Sequence, residues 1–204
     1  AFHSITATVR WRMWWHYKIG HVLAFCYLPV LLFQHLSFET VLIRLGLFLP
    51  AAAGIAALGY LINDWYDRHA DRAVKKPNVL AGISNKKKGV VLFVVLLAAT
   101  LPWLGLPFLP LVYILLGLQL VLYFAYSHPL VRLKEKAGWG LMADSLYGHV
   151  NPALVAFLVF AEGSGLNPLV PALLVYSSIA LHYILPFHHL NILVGLGKGN
   201  GLYT

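Results

Sequence analysis

Six long apolar stretches, at 19–38, 41–62, 89–106, 108–127, 140–161 and 168–187, constrain this chain more than any other feature. Crossing the hydrocarbon core of a bilayer takes roughly 20 predominantly apolar residues in a helix. Inside lipid every backbone donor and acceptor must be paired within the protein, so only helices and closed barrels span it. Barrel strands alternate apolar and polar residues. These stretches instead run continuously through Leu, Ala, Gly and Val. The expected fold is therefore all-α, a polytopic transmembrane helical bundle of about six helices, in a single domain over residues 1–204. Only 11% of the residues are charged and the mean hydropathy is +0.74, which excludes an ordinary soluble domain.

The basic residues predict which way the bundle faces. Arg10, Arg12 and Lys18 precede the first stretch. Arg68, Arg72, Lys75, Lys76 and Lys86 to Lys88 follow the second. Arg132, Lys134 and Lys136 follow the fourth, and Lys198 follows the sixth. With six spans, all of these lie on one side, and only Arg44 lies on the other. Basic loops stay in the cytoplasm, so both termini and the basic loops are expected there. The net charge of +8 is accounted for by this asymmetry. It calls for no nucleic acid, although anionic lipid headgroups or an anionic substrate would be attracted. The lone Cys26, inside an apolar stretch, reads as packing.

Acidic residues are scarce, and three of the seven fall in one run, Asn63-Asp64-Trp65-Tyr66-Asp67-Arg68-His69-Ala70-Asp71. On a helix, Asn63, Asp67 and Asp71 recur every four residues and lie along one face, with Asp64 beside them. An amide and carboxylates stacked this way offer hard oxygen ligands suited to Mg²⁺, which takes a few carboxylates together with substrate phosphates. The competing reading is a solvated acidic helix end. Lys75 and Lys76 follow within a few residues. A second basic loop, Tyr126-Ser127-His128-Pro129-Leu130-Val131-Arg132-Leu133-Lys134-Glu135-Lys136, approaches from the same side. Carboxylates holding a divalent cation, with Lys and Arg alongside, are a common means of holding a diphosphate.

These segments resemble the UbiA-type membrane prenyltransferases. Asn63, Asp67 and Asp71 resemble that family's first aspartate-rich motif, at the cytoplasmic end of its second helix, with Asp64 a frequent addition. Lys76-Pro77-Asn78 and Leu80-Ala81-Gly82 resemble the segment that follows it. Tyr126, Ser127, Pro129, Leu130, Arg132, Leu133 and Lys134 resemble the pattern after the fourth helix, and Val9 to Lys18 resembles the segment before the first. The resemblance implies transfer of an isoprenyl group from an isoprenyl diphosphate to an aromatic or lipid acceptor, with Mg²⁺ as cofactor. Carried over residue by residue, it implies metal ligation by Asn63, Asp64, Asp67 and Asp71, with Asp67 and Asp71 catalytic. Lys76, Arg132, Lys134, Tyr126, Arg10 and Lys18 would hold the diphosphate.

The chain also departs from that pattern. Val79 stands before Leu80 where the family usually carries Arg-Pro. The family has a second aspartate-rich motif after its sixth helix and about nine helices. Here the corresponding segment, His182 to Asn191, leads to no carboxylates, and the only acids beyond Glu135 are Asp144 and Glu162. Three expectations stay open: a fragment or shifted reading frame (the chain starts at Ala1, not Met), a degenerate relative, or a partner chain that supplies the missing helices. The rival function is accordingly a noncatalytic lipid-binding or assembly subunit. A transporter fits less well, because Asp144 is almost the only charge within the spans.

Other polar and small residues have modest expectations. Asp144 is expected to pair with Tyr147, His149 or a loop lysine. Asn151-Pro152 predicts a kink, with the Asn151 amide satisfying freed backbone groups. Gly54 and Gly59, among neighbouring alanines, predict close helix packing.

Overall fold

The computed structural model describes residues 11–73, 75, 78–165 and 167, with the side chains of all of these except 11–18 and 137. Every regular element among them is helical. Helix α1 runs Trp11–Phe33, α2 Phe38–Ala73, α3 Asn85–Thr100, α4 Pro110–Ser127, α5 Ala137–Ser145 and α6 Asn151–Ala161. A 3₁₀ turn, Leu101–Leu104, extends α3, and a π-helical turn, Leu146–Val150, joins α5 to α6 into one kinked rod. Five of the six expected spans are thus helical where expected. The sixth, 168–187, lies outside the described residues, as does the His182 to Asn191 segment.

Among the described residues three segments are long and apolar enough to cross a membrane: Phe38–Ala73, Asn85–Leu104 and Pro110–Ser127. The apolar Ile19–Phe33 is shorter. Large apolar side chains face outward along them, among them Leu42 and Ile43 on α2, Phe93 and Leu97 on α3, and Ile114 and Val121 on α4. In water such surfaces would drive aggregation; facing lipid tails they cost nothing. The chain is a polytopic helical membrane bundle.

Helix α2 is 36 residues long, roughly 54 Å at 1.5 Å per residue, and so outruns a hydrocarbon core of about 30 Å. The acidic run occupies its C-terminal part, so the expected boundary at residue 62 falls within one continuous helix. Pro50 sits inside this helix, and Pro29 inside α1, as transmembrane helices tolerate.

Helices α2 and α3 pack along one another, α1 packs along α6, and α4 bridges α2 to α6. The α2–α3 contact is close because residue 54 is glycine: a Cβ there would stand 2.4 Å from the Ala99 nitrogen. That bears out the packing expected of Gly54. Helix α6 is enclosed on all sides, with every residue from Ala153 to Ala161 buried. Its partners form a core that includes Val22, Phe48, Val112, Leu115 and Trp103.

Candidate functional site

Between α2, α4 and the α5–α6 rod lies a cavity of about 990 Å³. This is at the large end of the range for small-molecule sites. Its lining grades from charged to apolar. At one end are Asn63, Asp67, Asp71, Arg132, Lys134, Glu135 and Asp144. In the middle are Tyr60, Tyr123, Tyr126 and Tyr147, and beyond them Phe48, Trp103, Leu115 and Val155.

Two elements, with Asp144 of α5 beside them, build the charged end. Helix α2 presents Asn63 and Asp67 on successive turns of one face. The loop after α4 folds back through Arg132, whose φ of +42° is the left-handed conformation. A non-glycine residue there carries roughly 1–2 kcal/mol of strain. The bend returns a 3₁₀ turn, Leu133–Glu135, and its Lys134 toward α2. The Lys134 ammonium donates to both carboxylate oxygens of Asp67. It also donates to Asn63 Oδ1 at 3.2 Å, which accepts from Ser127 Oγ at 3.3 Å as well. Arg132 bonds Glu135 through Nε and brings Nη2 to 3.8 Å from Asp67 Oδ1.

The acids of the run divide between two tasks. Asp67 and Asp71 are 7% and 4% exposed and line the cavity. Asp71 Oδ2 accepts from Asn78 Nδ2 at 2.8 Å. Asp64, 1% exposed, is not in the cavity lining. Its carboxylate accepts from the Val79 N–H at 3.3 Å, and its carbonyl accepts from Asn78 Nδ2 at 2.8 Å. Asn78 Oδ1 in turn accepts from the N–H groups of Leu80 and Ala81. Asp64 and Asn78 thus hold the following loop against α2. The acidic run is not a solvated face: its carboxylates are buried and bonded.

Of the residues expected in the site, Asn63, Asp67, Asp71, Tyr126, Arg132 and Lys134 come together around the cavity, and Asp64 does not join them. Arg10, Lys76 and the side chain of Lys18 lie outside the described residues. Among the described residues no three His, Cys, Asp or Glu side chains gather as a ready-made metal cluster. What does converge is hard oxygen from Asn63 and Asp67 on the Lys134 ammonium, with the Arg132 guanidinium beside Asp67. That donor set fits Mg²⁺ with phosphate and water completing its coordination.

Several lining residues were not anticipated. Gln119 lies on α4 at four-residue steps from Tyr123 and Ser127, a polar face in an apolar span that its spacing could have revealed. Tyr147 lines the cavity together with Asp144. The Tyr147 ring also lies edge-on to Tyr123 and Tyr126, with centroids 5.1 and 5.2 Å away. Gly59 serves the site as well as the packing, since a Cβ there would fall 2.6 Å from the Tyr123 ring. Asn151 corrects an expectation. The π-turn bonds the Asn151 N–H to the Leu146 carbonyl, and Gln119 Nε2 donates to the Tyr147 carbonyl at 2.6 Å. The Asn151 side chain makes no such bond and lines the cavity.

The chain is thus a membrane bundle enclosing a cavity, with acids and cations at one end and apolar walls at the other. Residues 8–193 match the UbiA prenyltransferase family, and the chain belongs to that family. Comparison with curated proteins and with solved structures returned no match.

Proposed function

We infer that the chain is an integral membrane prenyltransferase, Mg²⁺-dependent, that moves an isoprenyl group from its diphosphate to a lipophilic acceptor. The observation that carries this reading is the meeting of Asn63, Asp67, Asp71, Arg132 and Lys134 at one end of a cavity lined beyond them mostly by aromatic and apolar side chains. A diphosphate needs the former, and an isoprenyl chain needs the latter.

Arg132 and Lys134 bind the diphosphate through charge-assisted hydrogen bonds. Lys134 already spans Asp67 and Asn63 and has only to exchange carboxylate oxygen for phosphate oxygen. Asn63, Asp67 and Asp71 would hold Mg²⁺, which when bound neutralises charge on the departing diphosphate. In the transfer the C1–O bond breaks with its electron pair going to the diphosphate. The acceptor's nucleophile bonds to C1, and its proton passes to the diphosphate just released. The tyrosine and apolar walls keep water from the allylic cation. Asp64 supports this end by anchoring the 78–81 loop. Arg10, Lys18 and Lys76 belong to the same proposal as further diphosphate contacts. The basic loops, and with them this end of the cavity, are assigned to the cytoplasm by the excess of Lys and Arg.

The test is binding of a radiolabelled isoprenyl diphosphate to the purified chain in detergent, with Mg²⁺ and with EDTA. Mg²⁺-dependent binding that disappears in Asp67→Asn is expected. Equal binding in EDTA, or no binding at all, would sink the reading and leave a noncatalytic lipid-binding subunit.

A further inference from the structure

Beyond the tyrosines the cavity carries polar atoms that nothing in the protein satisfies. Asn151 is 1% exposed and lines the cavity, and neither its Nδ2 nor its Oδ1 has a hydrogen-bond partner. Gln119, 3% exposed, donates through Nε2 to the Tyr123 hydroxyl at 2.8 Å and to the Tyr147 carbonyl at 2.6 Å. Its Oε1 is left with no partner. A buried amide without partners is costly, and native structures rarely carry one for no purpose.

The placement is specific. Ser127 bonds Asn63 at the charged end. Gln119 lies eight residues back along α4, about 12 Å deeper at 1.5 Å per residue. Asn151 lies two helical turns beyond Asp144, and the Tyr147 carbonyl that Gln119 caps belongs to the turn just before it. The charged lining residues, Asp67, Asp71, Arg132, Lys134, Glu135 and Asp144, belong to the other end. The π-turn serves this arrangement. It frees the Tyr147 carbonyl for Gln119 and turns Asn151 into the cavity.

We propose that Asn151 and Gln119 form a polar subsite for the uncharged, hydroxyl-bearing part of the lipophilic acceptor. One amide donor and two amide acceptors suit a group that both donates and accepts, such as a phenol or an alcohol. Among the described side chains a carboxylate would find no cation here, and a hydrocarbon would leave the amides unpaired. Calling the ligand the acceptor rests on the prenyltransferase reading. The subsite itself rests on the cavity alone.

The experiment measures binding of 4-nonylphenol, 4-nonylanisole and nonylbenzene to the full chain in detergent, in wild type, Asn151→Leu and Asn151→Ala. The wild type is expected to bind the phenol about tenfold more tightly than nonylbenzene, with the anisole between them. Both variants should lose that preference and keep their nonylbenzene affinity. Asn151→Leu should melt no lower than wild type, since it sacrifices no hydrogen bond, and Asn151→Ala covers the case in which leucine overpacks. Both variants should retain Mg²⁺-dependent isoprenyl diphosphate binding, whereas Asp67→Asn loses that binding and keeps the phenol preference. Equal affinity of the wild type for all three probes, or a preference that survives both Asn151 variants, overturns the subsite and leaves the amides to water. A phenol preference lost in the variants, in a chain that binds no diphosphate, upholds the subsite and refutes the donor reading instead.

Discussion

Arg44 and Glu162 pair at one end of the bundle; Asp67 pairs with Lys134 and Arg132 at the other. Arg44 is bound up within the protein. Its Nη2 meets Glu162 Oε2 at 2.6 Å, its Nη1 donates to the Val159 carbonyl at 2.6 Å, and His35 Nε2 lies 3.0 Å from the Glu162 carbonyl. Those carbonyls are among the last of α6, which have no intrahelical partner. Arg44 caps the helix and ties it to α2, and His35 ties it to the α1–α2 turn. Lys134 and Asp67 differ in one respect that decides their use: both line a cavity. An incoming anion or cation can replace either partner there without leaving the other uncompensated. Two similar ion pairs thus differ in setting: one closes on helix carbonyls and the other opens on the cavity.

Four substitutions can break or sharpen that contrast. The largest effect is expected of Asp67→Asn, which should lower Mg²⁺-dependent prenyl transfer about 10³-fold with the fold intact, as thermal melting would show. Turnover near wild type would move the functional carboxylate elsewhere. Lys134→Ala should weaken isoprenyl diphosphate binding about 100-fold, in keeping with the loss of a buried charge partner. An unchanged dissociation constant would make Lys134 a structural cation like Arg44. Arg44→Met should cost about 1–2 kcal/mol of stability, from uncapped carbonyls and an unpaired Glu162, and leave diphosphate affinity where it was. A fall in affinity without a fall in melting temperature would erase the distinction between the two ends. The smallest change is expected of Asp64→Asn, within about threefold in diphosphate affinity, because the new side chain still offers an oxygen to Val79. A loss as deep as that of Asp67→Asn would place Asp64 among the metal ligands.

Much of this end of the molecule was readable in advance. The four-residue spacing of Asn63, Asp67 and Asp71 is a helix face in any context, and the basic loop after α4 had to lie on the same side. The division between Asp67 and Asp64 was not readable. Both are carboxylates in one run, and what separates them is the 78–81 loop, whose path depends on Asn78 finding Asp71 and the Asp64 carbonyl. Gln119 and Asn151 were harder still. Asn151 looked like a backbone partner for a Pro-associated kink, and the π-turn gave that bond to Gln119 on another helix.

By itself the sequence determined the solvent and the secondary structure. Runs of apolar residues long enough for a bilayer leave helix as the way to pair their backbone. The tertiary structure decided which polar groups share a space. Asp67 and Lys134 stand 67 residues apart, and Gln119 and the Tyr147 carbonyl 28. Helical periodicity says which residues share a face of one helix. It says nothing about which faces of different helices meet, because that depends on packing among apolar surfaces that look alike in sequence, settled here by features as local as the missing Cβ of Gly54.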